Sequence, residues 1–301
     1  MGGIHSRALS VKLHIVYRST GSENRTSRPE FYSKLLALKS LLRSAAACAS
    51  PVHFVFLNDG PVPRDRHDLM ASSGEIVDRA GLGSSVGSFQ ETLRQVDAQG
   101  WPEDDLVYLV EDDYLHVLDA LPALLDAARA IPDASYFALY IYLSIDWRRA
   151  QHFQVGDRPW LSAESTTGTF AARIGALRAD RWIHRIAYRA DGGWDRDACL
   201  SYGGIRPYRW SGIAAGLAGS EPGSAQTVER RLKRATAQSL LNLSAVRRAF
   251  ARHLLVAPQP DLATHMTLPW LSPGVDWEAV AREVSEWTPF GGEAVEAGPS
   301  V

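Results

Sequence analysis

The 301-residue sequence contains little cysteine and no excess of charge of one sign. Its two cysteines, Cys48 and Cys199, have no short-spaced histidine or cysteine neighbours, which argues against a disulfide framework or a structural zinc site and favours a reducing, cytoplasmic setting. The 32 basic residues nearly balance the 34 acidic ones, so the net charge is -2. Such a chain has no global field that would attract nucleic acid, and we expect any anion-binding site to be local.

Long hydrophobic runs are also missing. No uncharged apolar stretch approaches the roughly 20 residues that span a bilayer, and no basic segment followed by an apolar region begins the chain. We therefore expect a cytoplasmic protein without a transmembrane segment. The hydrophobic content of 46% suffices for a large core, which favours one compact α/β domain with appendages. The high usage of alanine and arginine is typical of a high-GC bacterium.

Strand and helix patterns alternate through the first half of the chain. A strand pattern at 11–17 is followed by a polar loop from Arg18 to Arg28 and by a helical pattern that begins at Pro29. Further strand patterns lie at 52–57, 75–77, 106–110 and 136–142. Helical patterns between them cover 88–98, with Ser88 as the cap, and 118–131. This alternation predicts a mainly parallel sheet that is flanked by helices.

The second half is less regular. Residues 160–173 have the pattern of strands and turns, and 176–189 that of an amphipathic helix, which predicts a smaller α+β region. Residues 211–224 are rich in glycine, alanine and serine, so we expect a mobile loop there. A strongly basic helical segment follows at 228–255, and the small, polar residues 291–301 predict a disordered tail.

Three adjacent acids, Glu111, Asp112 and Asp113, follow the apolar run at 106–110. Ligands of open α/β sheets bind at the carboxyl ends of the strands. Hard divalent ions accept carboxylate oxygens there and bridge to phosphate oxygens. The triplet therefore predicts a seat for a metal-bound nucleotide diphosphate. The alternative is that the three acids are solvated turn residues that cap the next helix.

The first half resembles the GT-A fold (Rossmann-like) nucleotide-sugar glycosyltransferases, and family 2 in particular. The resemblance comprises the strand, loop and helix at 11–42, the strand ending in Asn58-Asp59-Gly60, and Val-Tyr-Leu-Val-Glu-Asp-Asp at 107–113. It implies that Asp113 ligates Mn²⁺ or Mg²⁺ and that Glu111 approaches the donor ribose. Asp112 is also assigned to the donor site, without a defined contact. The motif departs from the family's usual Asp-any-Asp.

Further donor contacts are implied by the same resemblance. Asp59 corresponds to the strand-end acid that hydrogen-bonds the nucleobase or ribose. Arg18, with Arg25 or Arg28, lies in the first loop, where the family contacts its donor. The alternative for each arginine is a solvent-facing loop charge. Thr166 to Phe170 are expected to line the donor-sugar or acceptor pocket, although a strand and turn would explain them equally.

The resemblance extends to Gly192-Gly193-Trp194-Asp195-Arg196-Asp197 and to Thr264-His265-Met266. It implies that Trp194 lies at the donor, that Asp195 is the general base with Asp197 as the alternate, and that His265 is an additional metal ligand. Two alternatives stay open from the residues alone. In the first, Asp195 is an N-cap for a helix at 198–202. In the second, His265 is an isolated, structural histidine.

These residues predict a metal-dependent, hexosyltransferase-like enzyme that moves a sugar from a nucleotide diphosphate sugar to a hydroxyl of a small-molecule or glycan acceptor, with inversion. A retaining transferase, a sugar nucleotidyltransferase and a non-catalytic nucleotide-sugar-binding subunit are the alternatives. We expect a single domain over 1–290, with a nucleotide-binding half at 8–145, an acceptor half at 146–210, and a mobile loop, basic helices and metal-ligand segment at 211–290. The basic segment 227–255 either closes over donor phosphates, docks an acceptor, forms a homo-oligomer contact or is an amphipathic helix with a solvated basic face.

Overall fold

The computed structural model describes residues 11–142, 149–190, 193–219 and 227–289. In these ranges a nine-stranded sheet and a two-stranded sheet are flanked by helices. The strands are β1 Leu13–Thr20, β2 His53–Asp59, β3 Glu75–Arg79, β4 Leu106–Glu111, β5 Tyr114–His116, β6 Ala134–Phe137, β7 His152–Val155, β8 Arg158–Ser162, β9 Phe170–Arg173, β10 Leu254–Pro258 and β11 Ala263–His265. The helices are α1 Lys34–Ala46, α2 Arg64–Ala71, α3 Ser85–Ala98, α4 Ala120–Ala130, α5 Ile174–Ala187, α6 Trp194–Tyr202, α7 Trp210–Ala218, α8 Val228–Arg248 and α9 Trp277–Glu286.

The large sheet has the strand order β3-β2-β1-β4-β9-β6-β10-β8-β7. Strand β1 pairs in parallel with β2 and β4, whereas β9 and β8 run against their neighbours. All other strands of this sheet therefore share one direction. The predicted α/β architecture, a mainly parallel sheet flanked by helices, is confirmed. The acidic triplet follows the fourth strand, as the resemblance to GT-A glycosyltransferases implies.

Helices cover both faces of the sheet, which explains the nearly continuous apolar composition of its central strands. Ile15 and Tyr17 of β1 pack with α1 and α4, while Val16 points to the opposite face and packs with α3, α5 and α8. The alternation of side chains along a strand thus divides one apolar run between two cores. No helix in the described part of the chain is long and apolar enough to cross a bilayer.

Several predicted boundaries were wrong in the first half. Strand β1 continues to Thr20, paired with Asp59 of β2, so Arg18 lies in a strand and not in the first loop. Helix α1 begins at Lys34 and not at Pro29, because the side chain of Ser33 accepts hydrogen bonds from the next helical amides and caps the helix there. Ser84, and not Ser88, caps α3. Strand pairing across the sheet and local capping by serine side chains decided these ends.

The predicted mobile loop at 211–224 was also wrong where the structure describes it. Residues 210–218 form helix α7, because their alanines and leucine favour a helix. Gly219 ends this helix with a φ of 76°. Residues 220–224 and the predicted disordered tail at 291–301 lie outside the described residues. The basic helix α8 stops at Arg248, and residues 254–255 belong instead to β10. Strands β7 to β9 of the predicted α+β region join the main sheet.

One buried carboxylate connects the second half of the fold. Asp180 of α5 is fully buried and accepts a hydrogen bond of 3.0 Å from the hydroxyl of Tyr136 in β6. It also pairs with Arg248 at the end of α8 and lies 2.5 Å from Nδ1 of His253, just before β10. Since a buried charge is stable only when it is paired, this carboxylate holds α5, α8 and the sheet together.

Replacing Asp180 should therefore destabilise the fold. Asp180→Ala removes one partner of a buried ion pair, and we expect the free energy of unfolding in urea to fall by about 3 kcal/mol. Asp126→Ala is the matched control, because Asp126 pairs with Arg129 on an exposed helix face. Its loss should stay below about 0.5 kcal/mol. Equal losses in the two variants would contradict the role given to Asp180.

Candidate functional site

Five of the predicted site residues meet at the carboxyl edge of the sheet. Arg18, Asp59, Glu111, Asp112 and Asp113 line one cleft with a volume of about 380 Å³. They meet because β1, β2 and β4 are parallel neighbours and end at the same edge. The remaining wall is the start of α3 and the residues before it. We call this pocket the first cleft.

The carboxylate of Asp112 points into the protein and not into a ligand site. It accepts hydrogen bonds from the hydroxyl of Ser19 (3.0 Å) and the backbone amide of Thr20 (2.8 Å), and it pairs with Lys34 at 2.8 Å. Burial raises the pKa of Asp112, and Lys34 opposes that shift. Asp112 thus connects the end of β4 to the end of β1 and the start of α1, and it holds these three elements of the site together.

Asp113 meets His265, which is 152 residues away in the sequence. Strand β5 pairs antiparallel with β11, and this register places His265 opposite Tyr114. Nε2 of His265 therefore lies 2.9 Å from Oδ2 of Asp113, and Arg28 donates to the same oxygen at 2.9 Å. Burial alone would raise the pKa of Asp113, but the hydrogen bonds from His265 and Arg28 outweigh it and lower the pKa. Asp113 is consequently ionised at neutral pH.

The donor set around Asp113 fits a divalent ion only in part. Its second oxygen, Oδ1, is buried and has no hydrogen-bond partner among the described residues. The same residues contain no group of three histidine, cysteine or acidic side chains that would enclose a metal. Asp113 and His265 thus offer a carboxylate oxygen and an imidazole nitrogen, and phosphate and water oxygens would have to complete the shell. Mg²⁺ in particular keeps several waters when it binds to proteins.

Arg18 holds Glu111 in place. It donates to the Glu111 carboxylate at 2.7 Å and to the carbonyl of Gly168 at 3.3 Å, and its guanidinium lies 5.5 Å from the ring centre of Phe89. Burial raises the pKa of Glu111, and Arg18 opposes that shift. The side chain of Glu111 is 32% exposed, whereas that of Arg18 is only 5% exposed. Glu111 therefore faces the cleft, and the more deeply buried Arg18 holds its carboxylate there.

Gly168 lies at a close approach between the acidic triplet and α6. Its φ is +84°, and an added Cβ would stand 3.6 Å from both the Glu111 carboxylate and the ring of Trp194. The hydroxyl of Thr169 accepts from the backbone amide of Glu111 at 3.3 Å. The segment 166–170 thus contacts Glu111 through Thr169, and Gly168 lies between Glu111 and Trp194.

Asp195 and Asp197 have different surroundings. Asp195 is half-buried and accepts a hydrogen bond of 2.9 Å from the hydroxyl of Ser165. Gly193 occupies the N-cap position of α6 without a side-chain bond, so the alternative that Asp195 caps this helix is wrong. Asp197 is buried, which raises its pKa, and it accepts a hydrogen bond from the hydroxyl of Tyr208. Gly192, which belongs to the same motif, lies outside the described residues.

A second cleft adjoins the first, and most of its lining was not predicted from the sequence. Its volume is about 450 Å³, and Glu111 lines both clefts. Its walls are largely aromatic and come from separate parts of the chain: Tyr114, Tyr140, Tyr142, His265 and Trp270. Ser165, which bonds to Asp195, also lines it, as do Ile141, Thr167 and Thr267. No local motif could reveal such a wall, because only the fold brings its residues together.

The two loop arginines differ from one another. Arg25 is exposed, in agreement with the alternative of a solvent-facing loop charge. Arg28 donates to the carbonyl of Met266 at 2.7 Å and to the hydroxyl of Thr267 at 2.6 Å, besides its bond to Asp113. It therefore links the first loop to the segment after β11. Sequence reasoning missed Lys34 and Arg66, which surround Asp112, because neither lies in a recognisable motif.

Comparisons with known proteins give only weak likenesses. No family model matches the chain, and no curated protein matches it in sequence. An active-site mutant of LgtC is 13% identical, with a TM-score of 0.43 over 90% of this chain and 95% of that one. The glycosyltransferase GlyE of Streptococcus pneumoniae is 13% identical, with a TM-score of 0.36 over 63% of this chain and 43% of that one.

A CMP:2-keto-3-deoxy-manno-octonic acid synthetase bound to CTP is 14% identical, with a TM-score of 0.38 over 91% of this chain and 98% of that one. Similar structures thus include both a glycosyltransferase and a nucleotide-sugar synthetase. At TM-scores below 0.5 we draw no conclusion about activity from them. The chemistry of the site has to be inferred from its own residues.

Asp261 is a buried acid that contacts Tyr142, a residue of the second cleft. It is 4% exposed and accepts hydrogen bonds from the hydroxyl of Ser272 (2.6 Å) and the amide of Tyr142 (3.3 Å). Burial raises its pKa to about 6 in spite of these bonds. An acid with a raised pKa binds its proton more tightly in the folded state, so its contribution to stability is largest below its unfolded pKa and falls as the pH rises to about 6.

We expect Asp261→Asn to be more stable than the wild-type protein above pH 6 by up to about 3 kcal/mol, because the amide carries no charge to bury. The advantage should shrink as the pH falls towards 4. Urea unfolding at a series of pH values measures both curves. A constant difference between the curves over this range would show that Asp261 titrates normally.

Proposed function

We propose that the protein is a metal-dependent glycosyltransferase that moves a sugar from a nucleotide diphosphate donor to an acceptor hydroxyl, with inversion at the anomeric carbon. The observation that supports this most directly is the distance of 2.9 Å between Asp113 and His265, beside a buried carboxylate oxygen that has no partner among the residues described. That pair lies where two clefts adjoin, and Glu111 lines both. A group-transfer enzyme needs such an arrangement, with one compartment for each substrate.

The first cleft suits the nucleotide. Asp59 at the end of β2 offers a carboxylate to a ribose or base, and Ser84, Ser85 and Ser88 bring the amino end of α3 to the same cleft. Glu111 stands at the boundary, where the ribose or the first hydroxyls of the sugar would lie. The aromatic second cleft suits a sugar ring, whose apolar faces pack well against tyrosine and tryptophan while its hydroxyls reach Thr167 and Ser165.

Asp113 and His265 would hold Mn²⁺ or Mg²⁺ through Oδ1 or Oδ2 and Nε2. A bound divalent ion would neutralise the diphosphate and stabilise it as a leaving group. The protein alone supplies little surplus charge for that purpose, because the cations Arg18, Lys34 and Arg28 are each paired with one acid of the triplet. A diphosphate in the first cleft would otherwise face the carboxylates of Glu111 and Asp113.

Asp195 would act as the general base. Its carboxylate would accept the proton of the acceptor hydroxyl as the hydroxyl oxygen bonds to the anomeric carbon, while the bond from that carbon to the diphosphate oxygen breaks. Ser165 would orient Asp195 through its 2.9 Å hydrogen bond, and Ser165 itself lines the second cleft. Asp197 suits the role less well, since Tyr208 occupies its carboxylate.

Asp195→Asn should therefore lower turnover and leave donor binding intact. With the donor that the wild-type enzyme turns over best, chosen from a panel of nucleotide diphosphate sugars, we expect release of nucleoside diphosphate to slow at least about 100-fold. The dissociation constant for that nucleotide should change little. Glu164→Gln is the matched control, because Glu164 is an exposed acid that pairs with Arg196, a residue on the same helix as Asp195. Near-normal turnover in Asp195→Asn would rule out this base.

Three other outcomes would replace the proposal with a different function. Retention of anomeric configuration in the product would indicate a retaining transferase, for which Asp195 is not needed as a base. Release of pyrophosphate from a nucleoside triphosphate and a sugar phosphate would indicate a nucleotidyltransferase. Tight donor binding without turnover of any donor, with or without added acceptor sugars, would indicate a non-catalytic nucleotide-sugar-binding subunit.

A further inference from the structure

Helix α8 has two apolar faces, and only one of them is buried in the protein. Ala237, Leu241 and Ala245 pack into the core on one side. Large apolar side chains also lie along the opposite side and are exposed: Val228, Leu232, Leu240, Leu243, Val246 and, just beyond the helix, Phe250. At 100° per residue these side chains fall within an arc of about 120°, so they form one stripe. Phe250 is 95% exposed.

Helix α7 adds exposed apolar side chains next to α8. This helix packs against α8 and exposes Trp210 and Leu217, each at 45%. We call the exposed apolar side chains of these two helices and of Phe250 the α7–α8 surface. Single exposed apolar residues are ordinary, but a row of them along a 21-residue helix, with more on the helix packed against it, marks an interaction site. The predicted solvated basic face of an amphipathic helix does not describe this side of α8.

The charge of this region indicates the kind of partner. Residues 227–255 contain seven arginines and lysines and one acid, Glu229, whereas the whole chain has a net charge of -2. Lys233, Arg247 and Arg252 are exposed beside the apolar stripe. A cationic border around an apolar face with tryptophan, phenylalanine and leucine is what binds the interface of an anionic bilayer.

Other partners fit this surface less well. A second copy that used the same face would bring two strongly cationic segments together, which repel each other. Nucleic acid would neutralise the cations but would leave the apolar stripe without contacts. An anionic lipid surface satisfies both, since its headgroups accept the basic side chains and its acyl boundary accepts the apolar ones.

We propose that the α7–α8 surface docks this protein on an anionic lipid surface. The proposal goes beyond the proposed function and does not depend on it. The docked face lies near the first cleft. Leu232 and Lys233 line a groove together with Tyr188, and Tyr188 stacks on Trp194 with 4.3 Å between ring centres. Trp194 and Glu111, which lines both clefts, lie on either side of Gly168. Docking therefore places the clefts close to the bilayer.

Vesicle co-sedimentation of the full chain tests the proposal. We expect the protein to bind vesicles of mixed phosphatidylglycerol and phosphatidylcholine, and to bind pure phosphatidylcholine weakly. The double variant Leu243→Ser/Phe250→Ser should lower the partition coefficient at least about tenfold, because it removes two large apolar side chains from the interface. Arg247→Gln/Arg252→Gln should also lower it, and added salt should weaken wild-type binding.

Leu118→Ser is the matched control, since Leu118 is a single exposed leucine at 47% on another face, and its binding should equal that of the wild type. All variants should keep the wild-type melting temperature, because the replaced side chains are exposed. Failure of the wild type to bind anionic vesicles would overturn the proposal. So would equal binding by the double variant, or a wild-type dimer in light scattering that the double variant converts to a monomer without any vesicle binding.

Discussion

The structure of the site depends on one constraint: three adjacent carboxylates at the end of β4 must each be neutralised. Glu111 pairs with Arg18, Asp112 with Lys34, and Asp113 with Arg28. All three cations come from β1, the first loop and the start of α1. Because unpaired charges are costly to bury, this pairing fixes how residues 18–34 lie over the end of the sheet. The clefts on either side of Glu111 take their shape from that arrangement.

The three acids have different roles. The Asp112 carboxylate is bound inside the protein, by Ser19, Thr20 and Lys34. Asp113 keeps one oxygen that has no partner in the part of the chain that the structure describes, and Glu111 remains partly exposed. Adjacent residues in a strand and turn point in different directions, so a triplet can contain one structural acid and two that face a ligand. The sequence alone could not assign these roles.

Much of the fold was predictable from the sequence, because it rests on local patterns. The apolar runs that became β1, β2 and β4 are buried on both faces, and their order with the intervening helices indicated a mainly parallel sheet. The position of the triplet at a strand end followed from the same pattern. The pairing of Asp113 with His265 was anticipated only through resemblance to a family, since no local rule joins residues 152 apart.

What could not be predicted depends on register and packing. Arg18 was assigned to a loop, yet it lies in β1 opposite Glu111, because the pairing with β4 continues past the apolar run. The aromatic wall of the second cleft and the cations around Asp112 come from distant segments that only the fold assembles. Helix α8 was recognised as basic, but its second apolar face becomes visible only when the buried face is known.

The most direct test of the central claim is a thermal-shift panel of nucleoside diphosphates, each measured with and without Mn²⁺. A ligand that binds only the folded state stabilises it by mass action, by about 2.7 kcal/mol at 100 times its dissociation constant. We predict that at least one nucleotide raises the melting temperature only when Mn²⁺ is present, that Asp113→Asn loses this increment, and that Asp119→Asn, a change at an exposed acid paired with Arg158, retains it. The absence of a metal-dependent shift with every nucleotide would show that Asp113 and His265 do not form a metal-dependent nucleotide site.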